Sequence, residues 1–595
     1  MIEMLTVVPP AFVVLAAAII AFFVPRKVAH ALGFVAVLAV VPWVWLLRSS
    51  PDAYIETVFL GFDVVLFNVD EFSALMGLIF GGFGAAGVLY AAYSDASATT
   101  TAFALTYVGS SLGAVFAGDW LTLVFFWEVM AITSTFLVWN YGGKAIRAGY
   151  RYALLHGLGG SLLFFAVTLH YVETGMQTFL YTGEGIAPGL PQILAALGIG
   201  VNVGIIGLHA WIPDTYPRPH IAASVFLCAY TTKTGVYTMY RAFPEGNVAI
   251  AYMGGAMAVY GVTFALLQKD MRRLLSYHIQ AQVGYMLAGV GVGTAFATAG
   301  AMGHLFNNIL YKGLLFMCAG AIIYRTGEND LKYLGGLWKV MPFTFVAFLV
   351  AALSITAVPG FNGFVSKGMV VDAAEYQFEH NVVAGYDVLW WLLMIGAVGT
   401  FMSFIKFGYY AFFRGESDYE VPDANLGQKL SMAGAAVACV FFGVFFGAFF
   451  EILPTFEFDT DPYSTSHILK ALVLATAGVV AFYATKSLLD RIHGAPDVDA
   501  VYNPVFFVGT RAAVNGTVGS FRGIDTGVVR LAKIFVWAVN EPREAAERVV
   551  PRAYRERHAE RVDTTPGETG TWLGIGESVL VVVGVLAVAL LVVML

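Results

Sequence analysis

Stretches of about 20 predominantly apolar residues, the length a helix needs to cross a bilayer, recur almost without pause from Met4–Val24 to Trp572–Leu595. About sixteen such windows fit along the chain. The runs are long and continuous rather than short and alternating, so they predict spanning helices and not barrel strands. The pattern gives an all-α polytopic membrane protein. The first run starts behind Glu3 without a small-residue cleavage site, which predicts a retained helix rather than a signal peptide. Composition agrees: of 595 residues, 58% are hydrophobic and 12% charged, too apolar for a soluble chain of several domains.

The polar residues between the runs set the orientation. Arg26 and Lys27; Lys144, Arg147 and Arg151; Lys269, Arg272 and Arg273; and Arg325, Lys332 and Lys339 fall in alternate loops. Basic short loops are cytoplasmic. The intervening loops, such as 372–387 and 451–467, are acidic and nearly free of Lys and Arg, which places both termini outside. The formal charge of −7 sits largely in loops, so nucleic acid is excluded as a partner and the lipid bilayer is the solvent. Cys228, Cys318 and Cys439 are isolated within apolar runs and read as packing residues, with no disulfide or metal spacing.

Residues 1–95 hold three helices, and a dense bundle follows to about 452. Core helices continue over 416–490. The segment 491–571 does not span. Within it Val528, Leu531, Ile534, Phe535 and Ala538 recur at helical spacing with Arg530 and Lys533 between them, which predicts an amphipathic helix along the cytoplasmic surface. Residues 572–595 form a last spanning helix.

A charge at the centre of a spanning helix costs roughly 2.5–3.5 kcal/mol, so such residues face a partner or a polar path. Glu128, Lys233, Lys312 and Lys367 are of this kind. The plainer reading, a side chain that snorkels to the interface, suits Lys406 and fits Glu128 poorly. His304, Asn308 and Lys312 are spaced one turn apart and share a helix face. Asn202, His209 and His278 also fall in or beside apolar runs. A lone histidine there is more often a hydrogen-bonded packing residue than a relay group, whereas the 304, 308, 312 row points to a relay. No metal site is expected, because His304 and Asn308 lack a second strong ligand and a nearby carboxylate.

Two long apolar segments are interrupted. Pro359 and Gly360 break one, and glycines before Pro213 break the other. Interrupted helices at comparable places in two halves point to an inverted-repeat transporter. A break frees carbonyls that need water or a polar partner, and a lysine beside it can hold or release a proton.

The runs GDWLTLVFFWE, LHAWIPDTYPRPHIAASVFLCAYTTKTGVY, QKDMRRLLSYHIQAQVGYM, HLFNNILYKGLLFMCAGAII, LGGLWKVMP and AVPGFNGFVSK resemble the antiporter-like subunits shared by Mrp-type sodium/proton antiporters and respiratory complex I. SYHIQAQVGYM and FIKFGYYAFFRG are most similar to the D-type branch of the Mrp antiporters. The resemblance implies two inverted five-helix repeats with broken helices, over 96–245 and 246–415. It also implies roles: Glu128 as the acidic residue that tunes a lysine, Lys233 and Lys312 as central lysines, and Lys367 as the exit-side proton carrier, with His304 on the same path. Three positions depart from the family pattern. Asn202 stands where a lysine is usual, Asn308 where a second histidine is usual, and Gly207 where a proline is usual. Asparagine orders water but stores no charge.

The resemblance implies a proton-translocating subunit of a multisubunit sodium/proton antiporter in a prokaryotic plasma membrane. Its partners would be other membrane subunits, protons and sodium. Two alternatives remain: a pumping arm of a complex I-type or membrane hydrogenase enzyme, and a non-conducting structural subunit. The chain carries no nucleotide, haem or iron–sulfur motif, so no cofactor is expected.

Overall fold

A computed structural model describes residues 8–48, 54–175, 179–181, 183–375, 382–383, 386–454, 460–492 and 496–549. The expected helix at 572–595 and both termini lie outside the described residues. Polar caps start the helices where the apolar runs begin. Asp119 accepts from the Thr122 amide, Asp270 from Arg273, Thr294 from Ala297 and Asn425 from Gln428, each satisfying an amide the helix cannot.

Ahead of the bundle lie α1 (Pro10–Ala21), α2 (Arg26–Leu38), α3 (Val40–Leu47), a hairpin of β1 (Tyr54–Phe59) and β2 (Phe62–Asn68), and α4 (Glu71–Ala92). The hairpin, with a two-residue antiparallel pairing of Val382–Val383 and Tyr386–Asp387 ahead of a later helix, departs from the all-α expectation. Its two turn residues, Leu60 and Gly61, both have positive φ, as the tightest hairpin turn requires.

Two sets of elements follow in the same order. The first is α5 (Ala98–Phe116), α6 (Trp120–Trp139), α7 (Lys144–Glu173), the pair α8 (Leu190–Val203) and α9 (Trp211–Thr215), and the pair α10 (Ile221–Leu227) and α11 (Thr231–Ala242). The second is α12 (Val248–Leu266), α13 (Met271–Val292), α14 (Ala295–Thr326), the short α15 (Leu337–Val340), the pair α16 (Pro342–Ile355) and α17 (Asn362–Ala373), and α18 (Val388–Gly408), which ends in a π turn. In each set the third span is the longest, at 30 and 32 residues, and the fourth is broken. Five spans is an odd number, so the second set begins at the opposite end from the first. Next come α19 (Leu426–Val444), α20 (Phe446–Phe450) and α21 (Thr465–Arg491).

Among the described residues, nine helices are long and apolar enough to cross a membrane by themselves. Three shorter apolar helices include α8 and α16, which need their partner pieces to complete a span. The window of α14 is 94% buried, against 17% for α21. That places α14 at the centre of the bundle, where a helix buried all round is expected to be apolar on every face.

Contacts gather the basic loops at one end. Arg26 pairs with Asp95, which also accepts from Tyr324. Arg272 donates to the Pro219 carbonyl, and Asn329 to Asp270. Lys406, expected to snorkel, instead caps this end of α12, donating at 2.7 Å to the Leu266 and Gln268 carbonyls. The opposite end holds the Asp70–Arg241 ion pair and the contact of Asn247 with Gly291. All three cysteines are buried and free.

The described residues divide into two units, one up to Val501 and one from Tyr502 onward. In the second lies most of α22 (Asp499–Asn540), then α23 (Pro542–Val549). At 42 residues α22 is about 63 Å long. This is the helix the apolar spacing of 528–538 predicts.

Candidate functional site

Lys367 is placed by the break that precedes it. α16 ends at Ile355, Ala357 (φ 61°) and Gly360 (φ 93°) turn the chain through the left-handed region, and α17 restarts at Asn362. Lys367 Nζ donates to the Ile355 carbonyl at 3.1 Å. The residue is 4% exposed, and its ammonium lies 4.5 Å from the centre of the Tyr285 ring, a cation–π contact.

His304 is the next group inward. Its ring centre is 5.8 Å from that of Tyr285. Nδ1 meets Ser366 Oγ at 3.2 Å, and Nε2 meets Gln282 Oε1 at 3.2 Å and the Tyr311 hydroxyl at 3.3 Å. Asn308 Nδ2 donates to the same hydroxyl at 3.2 Å. The shared face of 304 and 308 is therefore real, with Tyr311 as the group that ties them. Sequence gives no sign of Gln282, Ser366 and Tyr311, because one glutamine, serine or tyrosine in an apolar run is unremarkable by composition.

Lys312 follows on α14. It is fully buried, finds no hydrogen-bond partner among the described residues, and lies 5.8 Å over the Phe404 ring. Both ring nitrogens of His278 are likewise unpartnered among those residues, and its ring centre is 4.8 Å from that of Phe404. Lys312 is within electrostatic reach of both Lys233 and Lys367.

In the first half a second interruption appears, at 228–230, between α10 and α11. Lys233 Nζ donates to the Cys228 carbonyl there at 2.8 Å and to Thr232 Oγ1 at 3.2 Å. Two lysines thus sit in the same way, each on a carbonyl at a helix break. Beside Lys233, Thr231 Oγ1 contacts the hydroxyls of Tyr107 (2.6 Å) and Tyr152 (3.1 Å), and Ser134 contacts Tyr152 at 2.8 Å. Glu128 is half-buried on α6, and the contacts of the Lys233 ammonium do not include it. Its carboxylate lies on bare backbone, since a Cβ at Gly160 of α7 would fall 1.6 Å from Glu128 Oε1.

Asn202 is buried near the end of α8, beside Gly235 of α11, and neither of its amide atoms has a partner among the described residues. The following break opens at Gly204 (φ 71°), and Trp211 Nε1 closes on the Val201 carbonyl at 2.9 Å. His209 stands apart from the lysine row. Its Nε2 faces Asp497 at 3.2 Å, and the same carboxylate accepts from Tyr277 at 2.5 Å and from Tyr260. Arg151 adds a second tie, bridging Asp214 and Asp499 at 2.9 and 3.2 Å. Asp497 is a functional neighbour that the sequence reading misses, although the acidic pair in PDVD at the foot of the amphipathic helix is its visible signal.

Burial pushes the Asp497 carboxyl up, but hydrogen bonds from His209, Tyr260 and Tyr277 outweigh it and hold it well below the usual carboxylate range. A carboxyl lowered by folding stabilises the fold above its unfolded value, near 3.8, and the contribution is lost as pH falls through the folded value. Asp497→Asn should therefore lower the melting temperature at pH 7, with a cost of about 1.5–3 kcal/mol. Thermal unfolding at pH 7 checks this. The difference from the unsubstituted protein should hold above the unfolded value and narrow as pH falls from there through the folded value.

Residues 117–403 match the family described as NADH:quinone oxidoreductase/Mrp antiporter, transmembrane. The chain is 27% identical over 519 residues to the A-type subunit of the Na(+)/H(+) antiporter of Alkalihalophilus pseudofirmus, covering 76% of this chain and 64% of that protein. It is 32% identical over 329 residues to the D-type subunit of the same organism's antiporter, covering 53% and 65%. The chain thus spans less than two thirds of either relative. The likeness to the D-type relative is the higher in identity and the likeness to the A-type relative the longer. Among solved structures, the Mrp complex from Dietzia sp. DQ12-45-1b superimposes with a TM-score of 0.74 at 22% identity, covering 98% of this chain and 66% of the matched one. At that identity the match concerns the fold.

Proposed function

We propose that this chain, whose residues 117–403 match the NADH:quinone oxidoreductase/Mrp antiporter family, is the proton-translocating subunit of a multisubunit cation/proton antiporter that exchanges protons for sodium. The observation that carries this reading is the row of three buried lysines, two held on carbonyls at helix breaks and one unpartnered among the described residues. Buried ammonium groups without a counter-charge are expensive and persist where protonation must change. A proton arriving on one lysine repels charge on the next. Lys233 and Lys312 pass this displacement along the row, and Lys367 discharges it. Tyr285, His304 and Tyr311 continue the path from Lys367 onto α14, the helix that carries Lys312, and Glu128 supplies the negative charge that tunes the first half. Asn202, His278 and Asn308 order water between the titrating groups. The basic end of the bundle faces the cytoplasm of a prokaryotic cell, by the charge rule.

Gly160→Ala tests the part played by Glu128. The added methyl overlaps the carboxylate oxygen, the far end of a flexible side chain that must move but keeps its charge, so exchange should fall, and by less than in Glu128→Gln. Rates in everted membrane vesicles compare the two.

A redox-driven pump is the second reading, favoured by the long helix α22 after the last described span. Purification from native membranes in mild detergent, with every co-purifying chain identified, separates the two. Small hydrophobic subunits and a second antiporter-like chain support exchange. Iron–sulfur or flavin proteins in the complex would overturn it in favour of the pump.

A further inference from the structure

Beyond Lys367, at the end of the bundle opposite the basic loops, a cavity of about 70 Å³ is lined by Lys367, Phe364, Asp372, Met394, His467 and Lys470, among others. It connects the last lysine of the row to a second cluster of titratable side chains on α17 and α21. Asp372 Oδ2 meets His467 Nε2 at 2.9 Å, and Oδ1 lies 3.6 Å from Lys470 Nζ. Lys470 also reaches Glu375 at 3.3 Å. On its other side, His467 Nδ1 is 3.2 Å from the Pro462 carbonyl.

The Pro462 carbonyl can only accept, so Nδ1 carries a hydrogen. Nε2 lies 2.9 Å from Asp372 Oδ2 as an ion-pair contact, close enough for a proton taken up by the pair to reside on either partner, as imidazolium against carboxylate or as neutral ring against carboxylic acid. Lys470 and Glu375 provide a balancing pair of charges beside it.

We propose that Asp372 and His467 form a proton-holding pair that receives the proton from Lys367 across this cavity and delivers it to the outer side. The inference rests on the reading of Lys367 as the last lysine of the path. In each transfer one N–H bond of Lys367 breaks as one bond to the pair forms, and the pair releases its own proton outward, so charge and protons balance.

The test uses the whole complex in proteoliposomes, with lumenal pH followed by a trapped dye under a sodium gradient. Asp372→Asn and His467→Gln should each slow exchange at least tenfold while assembly by size exclusion is kept. Asp372→Glu, which restores a proton-holding carboxyl, should recover most of the rate. A merely structural role would not separate Glu from Asn in this way. If both Asp372→Asn and His467→Gln exchange at the full rate while Lys367→Ala is inactive, the proposal is overturned and the lysine row stands. If Lys367→Ala is also fully active, the reading beneath it fails as well.

Discussion

Replacing Lys367 by alanine should abolish sodium-driven pH change in the assembled complex and leave assembly intact. The ammonium meets the Ile355 carbonyl, the Tyr285 face and the cavity beyond, so its loss removes one hydrogen bond, about 1–3 kcal/mol, from a 595-residue chain. The functional loss is of another order, because Asp372, the other titratable side chain on α17, lies across the cavity and does not occupy the place where Lys367 meets the Ile355 carbonyl and Tyr285. Lys367→Arg sharpens the expectation. A guanidinium can keep the contacts with the carbonyl and the ring, but it does not deprotonate in proteins. Arginine should therefore be as inactive as alanine while matching lysine in stability. Vesicle exchange assays and thermal unfolding of both variants provide the comparison.

Gly363→Ala should damage stability and exchange together. A Cβ at this position would fall 1.9 Å from the Ser354 carbonyl oxygen, a backbone atom that cannot step aside without moving the end of α16. Overpacking of this kind typically costs about 1–3 kcal/mol. The displaced segment is the one that presents Ile355 to Lys367, so the ammonium loses its partner as well. Gly368→Ala is the control, since nothing lies within 4 Å of a Cβ there, and it should change neither property. Melting temperatures of the detergent-solubilised complex, measured beside its exchange rate, test the pair.

Much of this is legible in the chain because spanning helices must be apolar over a fixed length, and because lipid makes each intruding charge conspicuous. Lys233, Lys312 and Lys367 stand out for that reason, and so does the break at Pro359 and Gly360. The break at 228–230 is hidden, since Cys228, Ala229 and Tyr230 include no proline or glycine, and the interruption depends on tertiary contacts such as Tyr230 to the Phe80 carbonyl. The β1–β2 hairpin is hidden too, because its turn places Leu60 at positive φ, where sequence rules expect Asn or Gly. His209 reads only as a polar residue in or beside an apolar run, and its partner Asp497 lies 288 residues away, a pairing no local pattern reveals. Lys406 shows the reverse case. Its place near a helix end is readable, yet the two carbonyls that hold it belong to another span and the loop after it.

The most direct test of the central claim is lumenal pH in proteoliposomes that hold the purified complex, under an imposed sodium gradient and with no electron donor present. The lysine row, working as an ion-driven exchanger, predicts a pH change that follows the sodium gradient and reverses when the gradient is reversed. A lumen that stays at constant pH in both directions, and responds only when an electron donor and acceptor are supplied, would contradict it.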